Sequence, residues 1–556
     1  MELLGQHFDT AFSAPDGIPR LRELILKLAM QGKLVPQDPS DSPASELLRS
    51  IEAEKKRLVK ERKIKAPKTL PEITASDEPY SLPHGWQWVR LGAIGNIFNG
   101  NSINASEKES KYAGVDGLPY IATKDVGYGF QPLYYDNGIC IPPDEEKFRV
   151  ARQGAVLICA EGGSAGKKCG LTDRDICFGN KLFANELYGH IPSRFILYVY
   201  LSPAFRASFA AAMTGIIGGV SIAKFVEIPI PLPPLDEQHR IVAKIDQLMA
   251  RCDTLETLRK ERDEIRLAVH TATIQQLLTI ADSEQHQRAQ AFLAENFGEL
   301  YTVKENVAEL RKAILQLAVM GKLVPQNPND PPASILLKEI DAEKHRLVKA
   351  GKIKAPKPLA PIKSEEVPYP LPQGWEWVRF FAANTVRSEL VSARDYPKEK
   401  QIAPDSMEKD TGRLLFHRTV AESGATGPNN RFYEGQILYS KIRPSLNKVT
   451  VAPYDGLCSA DMYPIVCHSY ISFMIITMLS ELFLVQVRQA ENRIKMPKLN
   501  LESLGQFLIP LPPLPEQHRI VDRIAQLMAL CDTLDQKIND ATDKQAELLD
   551  AVMARI

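Results

Sequence analysis

A chain built twice from one scaffold has few folds open to it, and this chain carries two separate repeats. Leu21 to Pro36 (LRELILKLAMQGKLVP) returns as Leu310 to Pro325 (LRKAILQLAVMGKLVP) with 11 of 16 positions identical. The same offset of 289 carries Arg57-Leu58-Val59-Lys60 onto Arg346 to Lys349, Lys63 to Lys68 onto Lys352 to Lys357, and Gly85-Trp86 onto Gly374-Trp375. A second block, Leu235 to Glu256, matches Leu514 to Asp535 at 16 of 22 positions, now at an offset of 279. The segments between the blocks, Gln87 to Ile230 and Glu376 to Ile509, differ in length and keep no sustained register with each other. Each is nonetheless entered through Gly-Trp-x-Trp-Val-Arg and left through Pro-Leu-Pro-Pro-Leu. A scaffold has been duplicated, and its two inserts have diverged.

Hydrophobic periodicity shapes the scaffold. In the second block apolar residues fall at Ile520, Ile524, Leu527, Cys531, Leu534, Ile538, Ala541, Leu548 and Val552, a 4-3 spacing broken only at Gln545. That spacing predicts a coiled-coil helix running nearly to the C-terminus. The first copy keeps the seam at Ile241, Ile245, Leu248, Cys252 and Leu255, then meets Arg259 and Arg262, so its register shifts before the apolar run from Ile274 to Leu278. A helix from Asp236 to Ile280 is on the order of 65 Å long at the α-helical rise, and the C-terminal helix is its best partner, running antiparallel. The first repeated block reads as an amphipathic helix (Ile18, Leu21, Ile25, Leu28; Val307, Leu310, Ile314, Leu317) stopped by Gly32 or Gly321, with a proline four residues on. A charged helix follows from about Pro43 and Pro332. The inserts are rich in Gly, Asn, Tyr and Pro, with short β-prone runs at Gly154–Cys159 and Gly435–Tyr439. The expected fold is multidomain α/β: two globular α/β domains joined by a long antiparallel coiled-coil scaffold with a pseudo-twofold internal repeat.

At 556 residues the chain is long enough for about three to five structural units. Lys plus Arg equals Asp plus Glu at 68 each, which excludes a global basic field, so any contact with nucleic acid must come from local patches. Eight cysteines (140, 159, 169, 177, 252, 458, 467, 531) form no C-x-x-C pair and have no His cluster beside them, which argues for reduced, partly buried thiols and against zinc. The opening Met-Glu-Leu-Leu lacks the pattern of a secretory signal, and the most apolar stretch, Phe473 to Val487, is interrupted by Glu481. The expected location is cytoplasmic.

The motifs P-L-P-P-L-x-E-Q-H-R-I-V and L-P-x-G-W-x-W-V-R, each present twice around dissimilar inserts, resemble the specificity subunit of type I restriction-modification systems, and the resemblance covers essentially the whole chain. It implies a non-catalytic DNA-binding subunit with conserved helical regions at 1–85, 231–374 and 510–556 and target-recognition domains at 86–230 and 375–509. Each recognition domain then reads one half of an asymmetric bipartite target in double-stranded DNA, the halves separated by a non-specific spacer. The implied partners are two methyltransferase subunits, which methylate adenine with S-adenosylmethionine, and restriction/translocase subunits, which use ATP and Mg²⁺. No cofactor, metal or catalytic residue is expected in this chain. The duplication alone points the same way, because pseudo-twofold proteins read half-sites about one turn of DNA apart, roughly 34–36 Å, and unlike inserts mean unlike half-sites.

Base reading needs Arg or Lys for guanine, Asn or Gln for adenine, and hydroxyls where geometry permits. In the second insert Asn429, Asn430, Arg431, Lys441, Arg443, Ser445, Asn447 and Lys448, with Ser440, stand against the single acid Glu434. In the first insert the candidates are Asn99, Ser102 and Asn104 within NGNSIN, Lys111-Tyr112, Thr123-Lys124, and Ser164, Lys167 and Lys168 within GGSAGKK. The last run is one residue short of a phosphate loop and has Lys168 where a magnesium-binding hydroxyl belongs, so it is read as a DNA-phosphate contact. Ser221-Ile-Ala-Lys224 matches S-x-x-K without its companion motifs and is taken as coincidence. The basic runs Lys60–Lys68 and Lys349–Lys357 serve the scaffold, touching DNA phosphates or a partner. Glu237 and Glu516 open the long helices, where a carboxylate complements the helix dipole. His239 and His518 beside them are read as capping or packing residues. A methyltransferase acting alone should show N/D-P-P-Y/F and a Gly-rich cofactor loop, and neither is present. A coiled-coil scaffold without a DNA role leaves the two unlike inserts unexplained.

Overall fold

The computed structural model describes residues 12–554 apart from 63, 65, 67, 215–217, 280–282, 352, 354, 356 and 492–496, and apart from the side chains of 283 and 286. The opening residues Met1 to Leu4, Ile280, and Lys63, Lys65, Lys352 and Lys354 of the two basic runs lie outside the described residues. The chain forms two compact units, Met1–Lys260 with Thr542–Ile556, and Glu261–Ala541. The long helices Leu235–Thr279 and Leu514–Ala554 contribute to both units, in opposite order along the chain.

In the first unit the helix Gly17–Met30 ends where Lys33 N–H donates to the Leu28 carbonyl at 2.8 Å and Gly32 N–H to that of Ala29 at 3.1 Å, a Schellman closure. Gly32 sits at φ +68°, and a Cβ there would lie 2.3 Å from Pro83 Cγ, so conformation and close approach both require glycine. The second unit repeats this after helix Lys304–Val319, with Gly321 at φ +68° against Pro372. Those prolines belong to the L-P-x-G-W motifs, so the turn holds the opening helix against the entrance of the insert. The charged helices follow as expected, at Ala44–Lys60 and Ala333–Lys349.

The first half of each long helix's seam packs on an opening helix, while further along Val269 of one long helix shares a core with Leu534 and Ile538 of the other. Ile241, Ile245, Met249 and Cys252 share a core with Ile18, Ile25, Leu26 and Ala29 of the opening helix. Leu24 of that helix packs with Leu549 near the end of the other long helix. In the second unit Ile520, Ile524 and Cys531 join Val307, Ile314 and Ala318, while Ala313 meets Ile274 and Leu277. Each opening helix thus lies between the start of one long helix and the end of the other, because its apolar face is wide enough for two neighbours. Leu255 and Leu258, just past that cover, are exposed. Arg22 clamps Asp253 and Glu256 at 2.7 and 2.8 Å, and Arg311 clamps Asp532 and Asp535 at 2.8 Å each, which accounts for the acids repeated within and just after Cys-Asp-Thr-Leu.

The entry and exit motifs are two strands that pair. Gln87–Arg90 lies antiparallel to Pro229–Leu232, and Glu376–Arg379 to Leu508–Leu511. Trp86 Nε1 donates to Glu237 at 2.8 Å and Trp375 Nε1 to Glu516 at 3.0 Å. Both carboxyls are buried, and burial raises their pKa against the lowering effect of the indole hydrogen bonds. The glutamate read as complementing the helix dipole is therefore a buried acceptor for the doorway tryptophan. Gln238 and Gln517 donate to the Pro233 and Pro512 carbonyls at 2.9 Å, while Arg240 pairs with Asp41 and Arg519 with Asp330. Both histidines of the motif are exposed, and His518 packs on the Tyr470 ring with centroids 4.0 Å apart. Arg90 grips Asp77 through both oxygens and holds its carboxyl down at about 2; Arg379 grips Glu366 likewise.

Although their sequences keep no register, the inserts share one topology. Each has a four-stranded sheet: Gly95–Asn99, Leu182–Leu187, Val156–Cys159, Cys169–Leu171 in spatial order in the first, and Asn384–Val386, Met462–Cys467, Ile437–Ser440, Val449–Val451 in the second. Each has a second sheet centred on a parallel pair, Leu118–Ile121 with Ile176–Phe178, and Lys400–Ile402 with Gly456–Ser459. The second insert adds an edge strand, Leu390–Ser392. The apolar stretch around Glu481 folds as two helices, Ile471–Leu479 and Glu481–Ala490, bent by 61°, and no single helix among the described residues is long and apolar enough to cross a membrane. All eight cysteines are free thiols.

Candidate nucleic-acid interface

Two connections occupy equivalent places in the two inserts. One joins the inner strand of the four-stranded sheet to its edge: Ala160–Lys168 in the first insert and Lys441–Lys448 in the second. These are the loops singled out for their basic residues, although GGSAGKK and KIRPSLNK look nothing alike. The other connection leaves the parallel pair through a short turn, Thr123–Asp125 or Pro404–Ser406, and runs to Cys140 or Arg418. Each turn is closed the same way, Ala122 N–H donating to Asp125 and Ala403 N–H to Ser406.

In the first insert the two connections touch. Tyr128 pairs with Lys168 in an isolated backbone bridge, the Tyr128 hydroxyl lies 3.4 Å from Ser164 Oγ, and the Lys168 ammonium is 5.0 Å from the centre of the Tyr128 ring. Lys124 and Lys167 are exposed on the same connections, and exposed Lys181, in the turn before strand Leu182–Leu187, accepts from Ala160 N–H through its carbonyl. Tyr128 and Tyr134 are 56% and 57% exposed, large values for aromatic rings on a loop that also bears Lys124. Exposed rings on connections that also carry the exposed Lys124 and Lys167 offer stacking and hydrogen bonding to bases together with phosphate contacts. GGSAGKK is followed by a strand rather than a helix, so it lacks the strand–loop–helix form of a phosphate loop. Ser221 is a helix N-cap, its Oγ accepting from Lys224 N–H at 3.3 Å, which explains that S-x-x-K match.

The other first-insert candidates divide by exposure. Ser102 and Asn104 are exposed, and Asn104 caps the helix Ala105–Ser110 by accepting from Glu107 N–H. Asn99 accepts from Arg149 through its backbone and side-chain oxygens. Lys111 is paired with Glu145, which raises its pKa, and lies over the Tyr112 ring. Tyr112 is fully buried between Lys111, Lys147 and Phe148, and is corrected from a DNA contact to a core residue.

In the second insert Arg443 is exposed, in a left-handed backbone conformation, and forms no ion pair among the described residues. Lys441 lies 5.5 Å from the Tyr463 ring centre, and Arg431 is half-buried over Tyr396 beside Glu389. Ser445 donates to Glu491, which leaves its hydroxyl engaged. Three candidates are corrected. Asn429 and Asn430 lie buried in strand Pro428–Phe432, accepting from Gln401 and Ser388 and donating to the Gly427 and Met462 carbonyls. Asn447 is buried at the base of the loop. Strand formation turned Asn429 and Asn430 inward, an outcome that composition cannot reveal. The residues that the sequence reading missed are the rings: Tyr128, Phe130 and Tyr134 in the first insert, and Phe416, 42% exposed, on the equivalent connection of the second. The alternation of Gly with aromatics in Val126–Tyr135 was the available signal.

Comparisons with known proteins bear on the family of the chain. A family model described as "Type I restriction modification DNA specificity domain" matches residues 83–266 and 418–542. The EcoAI type I restriction enzyme specificity subunit of Escherichia coli is 34% identical over 96% of this chain and 93% of its own length. The EcoEI specificity subunit of the same species is 32% identical over the same shares. A solved structure of an HsdS subunit from Thermoanaerobacter tengcongensis aligns with 85% of this chain and 97% of its own at 17% identity and a TM-score of 0.41. With its duplicated helical scaffold, its paired doorway strands and the matches at both inserts, the chain belongs to the type I restriction-modification specificity-subunit family.

Proposed function

We propose that this chain is the DNA-reading subunit of a type I restriction-modification complex, each insert reading one half of an asymmetric bipartite target. The observation that carries this reading is the pair of equivalent connections, alike in place and unlike in residues: one frame presenting two different sets of side chains is what an asymmetric target requires. In this reading the chemistry resides in partners, with two methyltransferase subunits modifying adenine with S-adenosylmethionine and restriction/translocase subunits using ATP and Mg²⁺. The helical scaffold holds those partners and fixes the spacer between the half-sites, in the cytoplasm where the DNA is.

Titrating duplex DNA with the full chain assembled with its methyltransferase subunit, at several salt concentrations, tests the assignment. Lys167→Ala is expected to weaken all sequences alike and to reduce the salt slope by about 1, as a phosphate contact does. Arg443→Ala is expected to relax one half-site by about 1–3 kcal/mol while the complex still assembles. Loss of assembly on Arg443→Ala would instead place that residue in the fold or in a subunit interface.

A further inference from the structure

The last residue of each strand-connecting loop is a lysine, Lys168 in the first insert and Lys448 in the second, each immediately before an edge strand. Lys168 Nζ donates to the Thr123 carbonyl at 3.2 Å, and Lys448 Nζ to the Pro404 carbonyl at 2.5 Å. Thr123 and Pro404 are themselves equivalent, each opening the short turn that follows an Ile-Ala pair, Ile121-Ala122 or Ile402-Ala403. The backbone around each lysine also matches, with Cys159 N–H donating to the Lys168 carbonyl and Ser440 N–H to that of Lys448. Two inserts without sequence register have therefore kept the same side-chain bond between the same two loops, which spring from different sheets.

We propose that Lys168 and Lys448 are positioning residues, each tying its insert's two DNA-facing loops into one surface, and do not serve as contacts to DNA phosphate. Both ammonium groups are half-buried, and neither has a carboxylate partner among the described residues. A half-buried lysine with one of its three donors spent on a carbonyl is held in place by that bond, whereas Lys124 and Lys167 present exposed ammonium groups to a phosphate backbone. The tie matters because base reading fails when side chains move by more than about 0.5 Å, and among the described residues no other side-chain bond joins these two loops in both inserts. This inference rests on the reading of these loops as the DNA-facing elements.

The test uses the full chain with its methyltransferase subunit, and measures binding to the target duplex, to duplexes altered at single bases in each half, and to random duplex across a salt series. Lys448→Met is expected to lower discrimination in one half-site at least tenfold, leaving the other half and the salt slope unchanged, and Lys168→Met to do the converse. Lys448→Arg, which keeps a donor of similar reach, is expected to retain most of the discrimination. Equal weakening on every duplex with a slope smaller by about 1 would make these lysines phosphate contacts and overturn the proposal; unchanged discrimination in both halves would overturn it too. The unaffected half-site reports that the variant is folded. If Lys448→Met loses both halves, amide exchange decides: new exposure confined to 404–417 and 441–448 supports the tie, and exposure spread through the sheets overturns it. A wild-type complex without sequence preference would count against the proposed function itself, leaving a distinguishable result.

Discussion

Exchanging residues 376–509 for the corresponding insert of another family member is expected to replace one half of the target and leave the other half, and assembly, intact. The second insert is bounded by its own paired strands, with Val378 opposite Ile509 and Glu376 opposite Leu511, so an exchanged segment brings its own sheets and connections and meets the scaffold at a doorway both proteins share. Each wrong base pair costs about 1–3 kcal/mol, and several changed positions together move sequence preference by orders of magnitude. Measuring relative affinities for hybrid targets checks this. Altered reading in both halves would sink the modular account, because the first insert's connections are untouched by the exchange.

The largest effect on stability is expected at the doorway of the second unit. Trp375 is 6% exposed and donates to Glu516, itself 1% exposed. Trp375→Ala removes a buried aromatic for about 3–5 kcal/mol and also leaves the carboxyl without its indole donor, which adds to the loss. Trp375→Phe keeps most of the ring volume and is expected to lose about 1–3 kcal/mol, chiefly from the unmade hydrogen bond. Denaturant unfolding followed by a probe within residues 261–541 separates the two. A loss below about 1 kcal/mol for the alanine variant would contradict the role assigned to the tryptophan.

Much of the scaffold was readable from the sequence because repetition exposes what a fold requires. Gly32 and Gly321 return at the same offset as Trp86 and Trp375 for a physical reason: a glycine turn packs on the proline two residues before the doorway Gly-Trp pair. The seam at Ile241 and Ile520 was readable as helix, but not as to its neighbour, since a 4-3 pattern states that a face is buried without stating by what. The buried role of Glu237 was hidden because its partner, Trp86, lies far away in sequence. In the inserts, composition identified the Ala160–Lys168 and Lys441–Lys448 loops and then misjudged individual amides. Asn429 and Asn430 pointed inward once strand Pro428–Phe432 formed, while Tyr128 and Tyr134, which a hydrophobicity argument buries, remained exposed. Alternation along a strand and the exposure of loop rings are decided by tertiary pairing, to which local sequence is nearly blind.

The most direct test of the central claim is single-molecule sequencing of adenine methylation on genomic DNA from cells expressing this chain with its methyltransferase subunit, set against cells with the methyltransferase subunit alone. The account predicts a bipartite, asymmetric motif that appears only when this chain is present. An expressed and assembled complex that produces no new motif would contradict it.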